Sequence, residues 1–346
     1  MTDLTCRLYA AHDLRIEELP EPQAAPESAI IRVQRGGICG SDLHYYHKGG
    51  FGPVRVREPI ILGHEAAGLV ESAPENCGLR PGQLVALCPS RPCNTCAFCL
   101  SGKQRHCLNM RFNGSAMRLP HEDGFFRSRI AHPVVQCLPI EDGTDAQAAA
   151  WAEPLAVCLH ALRLAPSLEG QKVLVTGTGP IGAICIALAR LKGADEIVAT
   201  DVQDFTLGLA RQMGADRIVN VISETNALNE YAAGKGQFDV VLECSANPQA
   251  IAHAIDLVRP QGTILQIGVG GSTDMPLNLI VGKELRFLGT HRFDAEFADA
   301  VRMIGAKEID LSPLVTHVLP VTDGVRAFDI AGDRTRAVKV QIDFEL

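Results

Sequence analysis

Cys93, Cys96, Cys99 and Cys107 crowd into the stretch PCNTCAFCLSGKQRHC, separated by two, two and seven residues. Two-residue gaps let a tight turn aim neighbouring sulfurs at one point, so the quartet suits a tetrahedral Zn²⁺ held by four thiolates. Such a shell is closed and serves structure; two disulfides or reduced surface thiols are the alternative. Three other segments carry a more mixed set of ligand types. GGICGSDLHYY offers Cys39, Ser41, Asp42, His44 and Tyr45, LGHEAAG offers His64 and Glu65, and WAEPLAV offers Glu153. A thiolate, an imidazole and a carboxylate would leave one zinc position for a substrate hydroxyl, whose proton the metal makes easier to remove. Taken singly, each has an ordinary explanation: a packed cysteine, a core histidine, a glutamate at the start of a helix.

A third constellation is GTGPIG, with Gly177, Gly179 and Gly182 directly after the apolar run KVLV. The first glycine permits a tight turn, the second admits a pyrophosphate, and the third lets helix pack on strand. The helix that follows turns its N–H groups and positive dipole end toward the phosphates. Asp201 closes the next apolar run, nineteen residues past Gly182. A carboxylate there accepts the adenosine ribose hydroxyls and repels a 2′-phosphate, and no Lys or Arg follows directly in TDVQDF, which favours NAD over NADP.

These groups need two frameworks. Residues 1–150 mix β-rich runs (AIIRVQR, AAGLVESA, QLVALCPS) with Gly and Pro punctuation, predicting a strand-rich domain with long loops. Pro20, Pro22 and Pro26 interrupt an early connector, and HKGGFGPVRVREP is too rich in Gly and Pro for a helix. From about residue 154 the texture alternates. LAVCLHALRLA, PIGAICIALARLKGA and FTLGLARQMGA read as helices; KVLVTG, EIVATD, RIVNV, FDVVLECSA and GTILQIGV read as strands. That alternation predicts a parallel sheet with right-handed crossovers and helices on both faces. After about residue 293 the texture is mixed again, and a late strand, AVKVQIDF, is expected to fold back on the first domain. The expected boundaries are 1–153 with 294–346, including a zinc lobe at about 88–110, and 154–293 for the nucleotide domain.

Composition narrows the function. A chain of 346 residues is comfortable for two domains. A net charge of −8 argues against nucleic acid and anionic membrane as partners, and no apolar run is long enough to span a bilayer. MTDLTCRLYAAHDL has no apolar signal core, so export is not expected, and twelve cysteines fit a reducing cytoplasm.

The ordered series CGSDLH, GHE, the cysteine quartet, Glu153-Pro154 and GTGPIG resembles the zinc-dependent medium-chain alcohol and polyol dehydrogenases across nearly the whole chain. The resemblance implies an α/β protein of two domains, a GroES-like β-rich catalytic domain and a Rossmann domain with a doubly wound parallel sheet. It implies two Zn²⁺ per chain, one catalytic and one structural, NAD and possibly NADP as cofactor, and a homo-oligomer, dimer or tetramer. Cys39 and His64 would bind the catalytic zinc, with Glu65 and Glu153 close by, one ligating directly and the other through water or by exchange. Ser41 would accept the substrate proton and His44 pass it outward, a role suited to a pKa near neutrality. Tyr45, Glu153, Arg292 and Phe293 would touch substrate. Ile181, Ile267, Gly268 and Arg292 would border the cofactor, beside Gly177, Gly179, Gly182 and Asp201.

Two departures matter. The alcohol branch carries a cysteine at the position of Glu153, so the glutamate resembles the polyol and threonine branch; Cys158 reads as packing. Thr206 stands where sorbitol-type enzymes carry an arginine beside the adenosine ribose, which leaves NADP open. RGGICGSDLHYY, ILGHE, MRFNGSAMRLPHEDGFF and AEPLAV resemble the sugar-acid branch of the family, and that resemblance implies a secondary alcohol of a sugar acid such as L-idonate as substrate. Neutral polyols such as sorbitol or xylitol are the near alternative. Arg111, Arg118 and Arg292 are the candidates for a two-point contact with a carboxylate. A non-catalytic zinc-ribbon protein with a nucleotide-sensing domain is the rival from another class, but it leaves GHE and Glu153 idle.

Overall fold

A computed structural model describes residues 3–345. It divides into two compact units. The first holds the chain up to Ala156, Phe293–Asp333 and the stretch from Lys339; the second holds Val157–Arg292 with Arg334–Val338. The tail is therefore shared between the two units rather than assigned whole to the first.

The first unit is built on a seven-stranded sheet in the order Cys137–Pro139, Leu84–Leu87, Glu65–Ser72, Ser28–Gly37, Lys339–Asp343, Val315–Pro320, with Arg129–Pro133 also paired to Ser28–Gly37. Its pairings are antiparallel except the last two strands of the path, which run parallel. Ser28–Gly37 shows why it is a strand with one buried face: Ala29, Ile31 and Val33 are fully buried while Arg32 is exposed, the two-residue alternation of a pleat. Phe125, Phe126 and Phe328 fill the core beside it. Gly40–Lys48 is a helix that the sequence reading did not predict. It buries Asp42, Tyr45 and Tyr46, spaced three and four apart on one face.

The second unit is a six-stranded parallel sheet in the order Arg217–Asn220, Glu196–Asp201, Lys172–Thr176, Phe238–Glu243, Val258–Gln266, Arg286–Gly289. Counted along the chain this is 3-2-1-4-5-6, the doubly wound Rossmann order, whose direction reverses between Lys172–Thr176 and Phe238–Glu243. The central strands are buried along nearly their whole length, which explains their continuous Val, Ile and Leu runs. Helices Ala152–Leu164, Pro180–Leu191 and Asp204–Gln212 fall where the sequence predicts them. Pro248–Leu257 is an additional helix, capped by Asn247, whose side chain accepts the N–H groups of Gln249 and Ala250. Among the described residues no helix is long and apolar enough to cross a membrane.

Candidate active site

In the first unit one carboxylate ties two ligand-bearing segments together. Cys39 sits at the N-cap of helix Gly40–Lys48, and its N–H donates to Asp42 Oδ2 at 3.0 Å. The other oxygen of Asp42 accepts the Gly63 N–H at 3.2 Å and faces His64 Nδ1 at 3.6 Å. Asp42 is fully buried, so this anchoring is shielded from water. Gly63 must be glycine: its φ is +92°, and a Cβ there would lie 2.3 Å from the Phe126 ring. The result aims the His64 ring inward from the turn that precedes strand Glu65–Ser72.

The ligand atoms of Cys39, His64 and Glu65 lie within 4.8 Å of one another. Glu65 pairs with Gly37 across the sheet, and a Cβ on Gly37 would fall 2.3 Å from Glu65 Oε2, so that glycine is what lets the carboxylate in. The same oxygen accepts a hydrogen bond from Lys339 Nζ at 2.6 Å. Lys339 is 2% exposed, donates also to the Ile38 carbonyl at 3.2 Å, and lies 5.2 Å from the centre of the Trp151 ring. Burial works against its charge, yet Glu65, Cys39 and Glu153 outweigh burial and raise its pKa. Burial likewise opposes a charged His64, but Asp42 and Cys39 carry its pKa well above the ordinary histidine value. Both shifts reflect the field of the acidic groups gathered here, Asp42, Glu65, Glu153 and Cys39. That field, with sulfur, nitrogen and oxygen donors converging and one position left over, fits a catalytic zinc.

Glu153 is buried on helix Ala152–Leu164 and close enough to act on Lys339, but it is not part of the three-ligand group. Ser41 and His44 share a face of the Gly40–Lys48 helix at a three-residue spacing. The His44 ring packs on Phe51 with centroids 4.9 Å apart, and its pKa is lowered by burial and then by Lys48 and His47. Tyr45 is 4% exposed, and its phenolic oxygen accepts the Ala116 N–H at 3.3 Å. Two of the candidate carboxylate-binding arginines are already engaged: Arg111 Nε donates to Glu122 at 2.5 Å, and Arg118 donates to the Asn109 carbonyl at 2.8 Å. Phe293 is buried against Phe297, with ring centroids 5.5 Å apart.

The quartet forms its own closed cluster. All four sulfurs lie within 4.8 Å of one another, with Cys96 at 3.5 Å from Cys99 and 4.0 Å from Cys107. All twelve cysteines are free thiols, so the disulfide alternative does not hold. Zinc–sulfur bonds of about 2.3 Å give a tetrahedron with edges of about 3.8 Å, a value bracketed by the 3.5 and 4.0 Å separations of Cys96 from Cys99 and Cys107. The Thr95 hydroxyl and backbone N–H lower the Cys93 pKa to about 5 while burial raises that of Cys99 to about 12, so the full set of thiolates would need a bound metal's charge. Ser90–Arg91 pairs with Arg111–Phe112 to close the lobe, and Glu122 joins Arg91 to Arg111 across that pair.

In the second unit the glycine loop and Asp201 come together at the point where the strand order reverses. Gly177 has φ +81°, and a Cβ on Gly182 would fall 1.8 Å from the Gly177 carbonyl. Gly179 caps helix Pro180–Leu191, and Ile181 lies in its first turn. Ile267 and Gly268 follow strand Val258–Gln266, both donating N–H to the Glu243 carbonyl at 2.8 Å. Three groups that the sequence reading missed stand out. Glu243 is fully buried and gathers Thr176, Ser245 and Ala246 beside the glycine loop. Arg334 donates to Asp201 Oδ2 at 2.7 Å. The third is Lys339, which shares the polar face of AVKVQIDF with Gln341 and Asp343; alternation alone reads that face as solvated, yet Lys339 and Gln341 are buried.

A model for zinc-binding dehydrogenases matches residues 180–306, and one for the GroES-like domain of alcohol dehydrogenases matches residues 25–142. The chain belongs to the zinc-binding alcohol dehydrogenase family. It is an NAD(P)-dependent oxidoreductase of the alcohol and polyol type. L-idonate 5-dehydrogenase (NAD(P)(+)) of Escherichia coli is 39% identical over 316 residues, covering 91% of each chain. Human sorbitol dehydrogenase is 32% identical, covering 94% of this chain and 92% of its own. The crystal structure of Escherichia coli L-idonate 5-dehydrogenase superposes with a TM-score of 0.95 at 36% identity, covering 99% of this chain and 98% of that one. A zinc-binding dehydrogenase from Sinorhizobium meliloti bound to NADP gives a TM-score of 0.88 at 27% identity, each chain covered to 99%.

Proposed function

We propose that this dehydrogenase oxidises a secondary alcohol of a sugar acid, with L-idonate to 5-ketogluconate as the leading reaction. The observation that carries the chemistry is the convergence of Cys39, His64 and Glu65 in a negative pocket with a position to spare. The sugar-acid preference is supported by 39% identity to an L-idonate 5-dehydrogenase over 91% of the chain, against 35% for an L-arabinitol 4-dehydrogenase and 32% for human sorbitol dehydrogenase. When bound, zinc acidifies a hydroxyl and polarises a carbonyl, and NAD(P) takes the hydride.

The chain's own residues do the rest. Cys39 and His64 would hold the metal, Asp42 fixes the His64 ring, and Lys339 holds Glu65 beside them, with Glu153 as the neighbouring carboxylate. Ser41 accepts the hydroxyl proton and His44 delivers it to solvent. Burial keeps His44 neutral to a lower pH than an ordinary histidine, so it remains a proton acceptor in mildly acidic solution. His44→Ala therefore slows turnover chiefly below neutral pH; an unchanged pH–rate profile would remove His44 from the path. Tyr45 can donate its phenolic hydrogen to substrate, since its oxygen already accepts from Ala116. Arg292 is the residue assigned to the substrate carboxylate, through the planar two-point contact that a guanidinium offers. The working form is a cytoplasmic homo-oligomer.

Initial rates of NAD⁺ reduction with L-idonate, gluconate, sorbitol and xylitol test the substrate. A preference for sugar acids supports the reading; turnover of polyols with none of sugar acids overturns it and favours the sorbitol-type alternative.

A further inference from the structure

Asp201 is 6% exposed and accepts five hydrogen bonds within the second unit. Oδ1 takes the N–H groups of Val202 and Gln203 at 2.7 and 3.2 Å. Oδ2 takes the Thr178 N–H at 2.7 Å, the Thr178 hydroxyl at 3.1 Å and Arg334 Nη2 at 2.7 Å. Four of these come from adjoining turns and fix the carboxylate. The fifth is different in kind, because it brings a full positive charge from 133 residues away. The same Nη2 lies 3.8 Å from the place a Cβ on Gly179 would occupy, over the glycine whose bare face lets a phosphate approach. The Arg334 side chain is 49% exposed, so it has freedom to turn, whereas Asp201 has almost none. Thr206 offers no substitute: it is fully buried, and its hydroxyl bonds to the Thr178 hydroxyl at 2.8 Å and to the Gln203 carbonyl at 3.0 Å.

We propose that Arg334 sets cofactor selectivity, pairing with Asp201 so that its charge no longer rejects a 2′-phosphate, and turning to bind that phosphate when NADP enters. The inference rests on the reading that Asp201 receives the adenosine ribose. An aspartate alone at this position accepts two ribose hydroxyls and repels a phosphate. With Arg334 on Oδ2 the balance shifts in both directions. The guanidinium competes with the ribose hydroxyls of NAD for one oxygen, and it presents a planar two-point donor to the phosphate of NADP. The site thereby accepts both cofactors even though the strand ends in the residue that ordinarily selects NAD.

The test is direct binding of NADH and NADPH to the zinc-loaded protein, read by cofactor fluorescence, for the wild type, Arg334→Ala, Arg334→Lys and Asp201→Asn. Arg334→Ala is expected to weaken NADPH by about tenfold or more while NADH changes little or tightens, and Arg334→Lys to recover part of the NADPH loss. Equal weakening of both cofactors would place the guanidinium on the shared pyrophosphate and overturn the proposal. So would a wild type that does not bind NADPH, or a variant that binds both as before. Asp201→Asn separates the two layers: unchanged NADH affinity in that variant would overturn the ribose reading itself. Arg334 is half-exposed, and circular dichroism of each variant checks that the fold is intact.

Discussion

Lys339 Nζ and Glu65 Oε2 meet at 2.6 Å with both side chains 2% exposed, a buried ion pair at the edge of the candidate catalytic metal site. Removing one partner of such a pair leaves a charge stranded in a poor solvent, which costs about 3–5 kcal/mol. A bound dication next to Glu65 supplies an alternative counter-charge. Lys339→Met is therefore expected to be destabilised most after zinc is stripped and less when zinc is bound. Thermal denaturation of loaded and chelated samples checks this: a chelator-induced drop in Tm no larger than that of the wild type would refute it.

Gly37 provides a test of the ligand's placement without touching a ligand. The backbone at this position can carry alanine, but the methyl would land 2.3 Å from Glu65 Oε2. Gly37→Ala should push the carboxylate out of register with Cys39 and His64, lowering catalytic-zinc retention and kcat/KM by about tenfold or more, the scale of a lost supporting contact at a metal site. Metal content after dialysis and steady-state rates decide it. Full zinc occupancy and unaltered kinetics would mean that Glu65 does not matter where it stands.

The cysteine quartet should behave as a staple rather than a reagent. Cys96→Ser is expected to lose about one zinc equivalent and to lower the melting temperature, because a structural site contributes its binding energy to folding. Hydride transfer per folded molecule should persist. Metal analysis beside active-site titration measures both, and an intact, fully zinc-loaded variant would disprove the assignment.

His132 gives a pH dependence whose sign is fixed by burial. The ring is 1% exposed, and its Nε2 lies 3.0 Å from the Cys88 carbonyl oxygen. Burial lowers its pKa to about 4, with Arg91 adding to the fall and the Cys88 carbonyl opposing it. Above the unfolded value of about 6.5 neither state is protonated and stability is full. As pH falls toward 4 only the unfolded chain takes the proton, so stability drops by about 1.4 kcal/mol per pH unit, roughly 3 kcal/mol in all. His132→Gln retains a donor for the carbonyl but removes the titration. Its denaturation midpoint should fall less steeply than that of the wild type between pH 6.5 and 4.5; parallel curves would exclude His132 as the source.

Much of this was legible in the sequence because it is local. The parallel sheet and its helices showed in apolar runs of fixed length, the quartet in its spacing, and GTGPIG in its place between strand and helix. Helix Gly40–Lys48 was hidden by its composition: it begins with glycine and has only a short apolar stripe, and its geometry comes from Asp42 binding back to Cys39 and across to Gly63. The groups missed at the two sites are those delivered by long-range pairing. No spacing rule links Lys339 to Glu65 across 274 positions or Arg334 to Asp201 across 133. Arg111 and Arg118 have partners nearer in sequence, Glu122 and the Asn109 carbonyl, which depend on how the loop turns rather than on any spacing rule.

The strand Lys339–Asp343 lies against Ser28–Gly37 and delivers the ammonium that faces Glu65. Ribosomes add about 5–20 residues per second, so roughly 15–50 s separate the synthesis of Glu65 from that of its counter-ion. Throughout that interval the nascent sheet carries an open edge and an uncompensated carboxylate. The first unit therefore cannot bury Glu65 against its counter-ion until nearly the last residues of the sequence have been made.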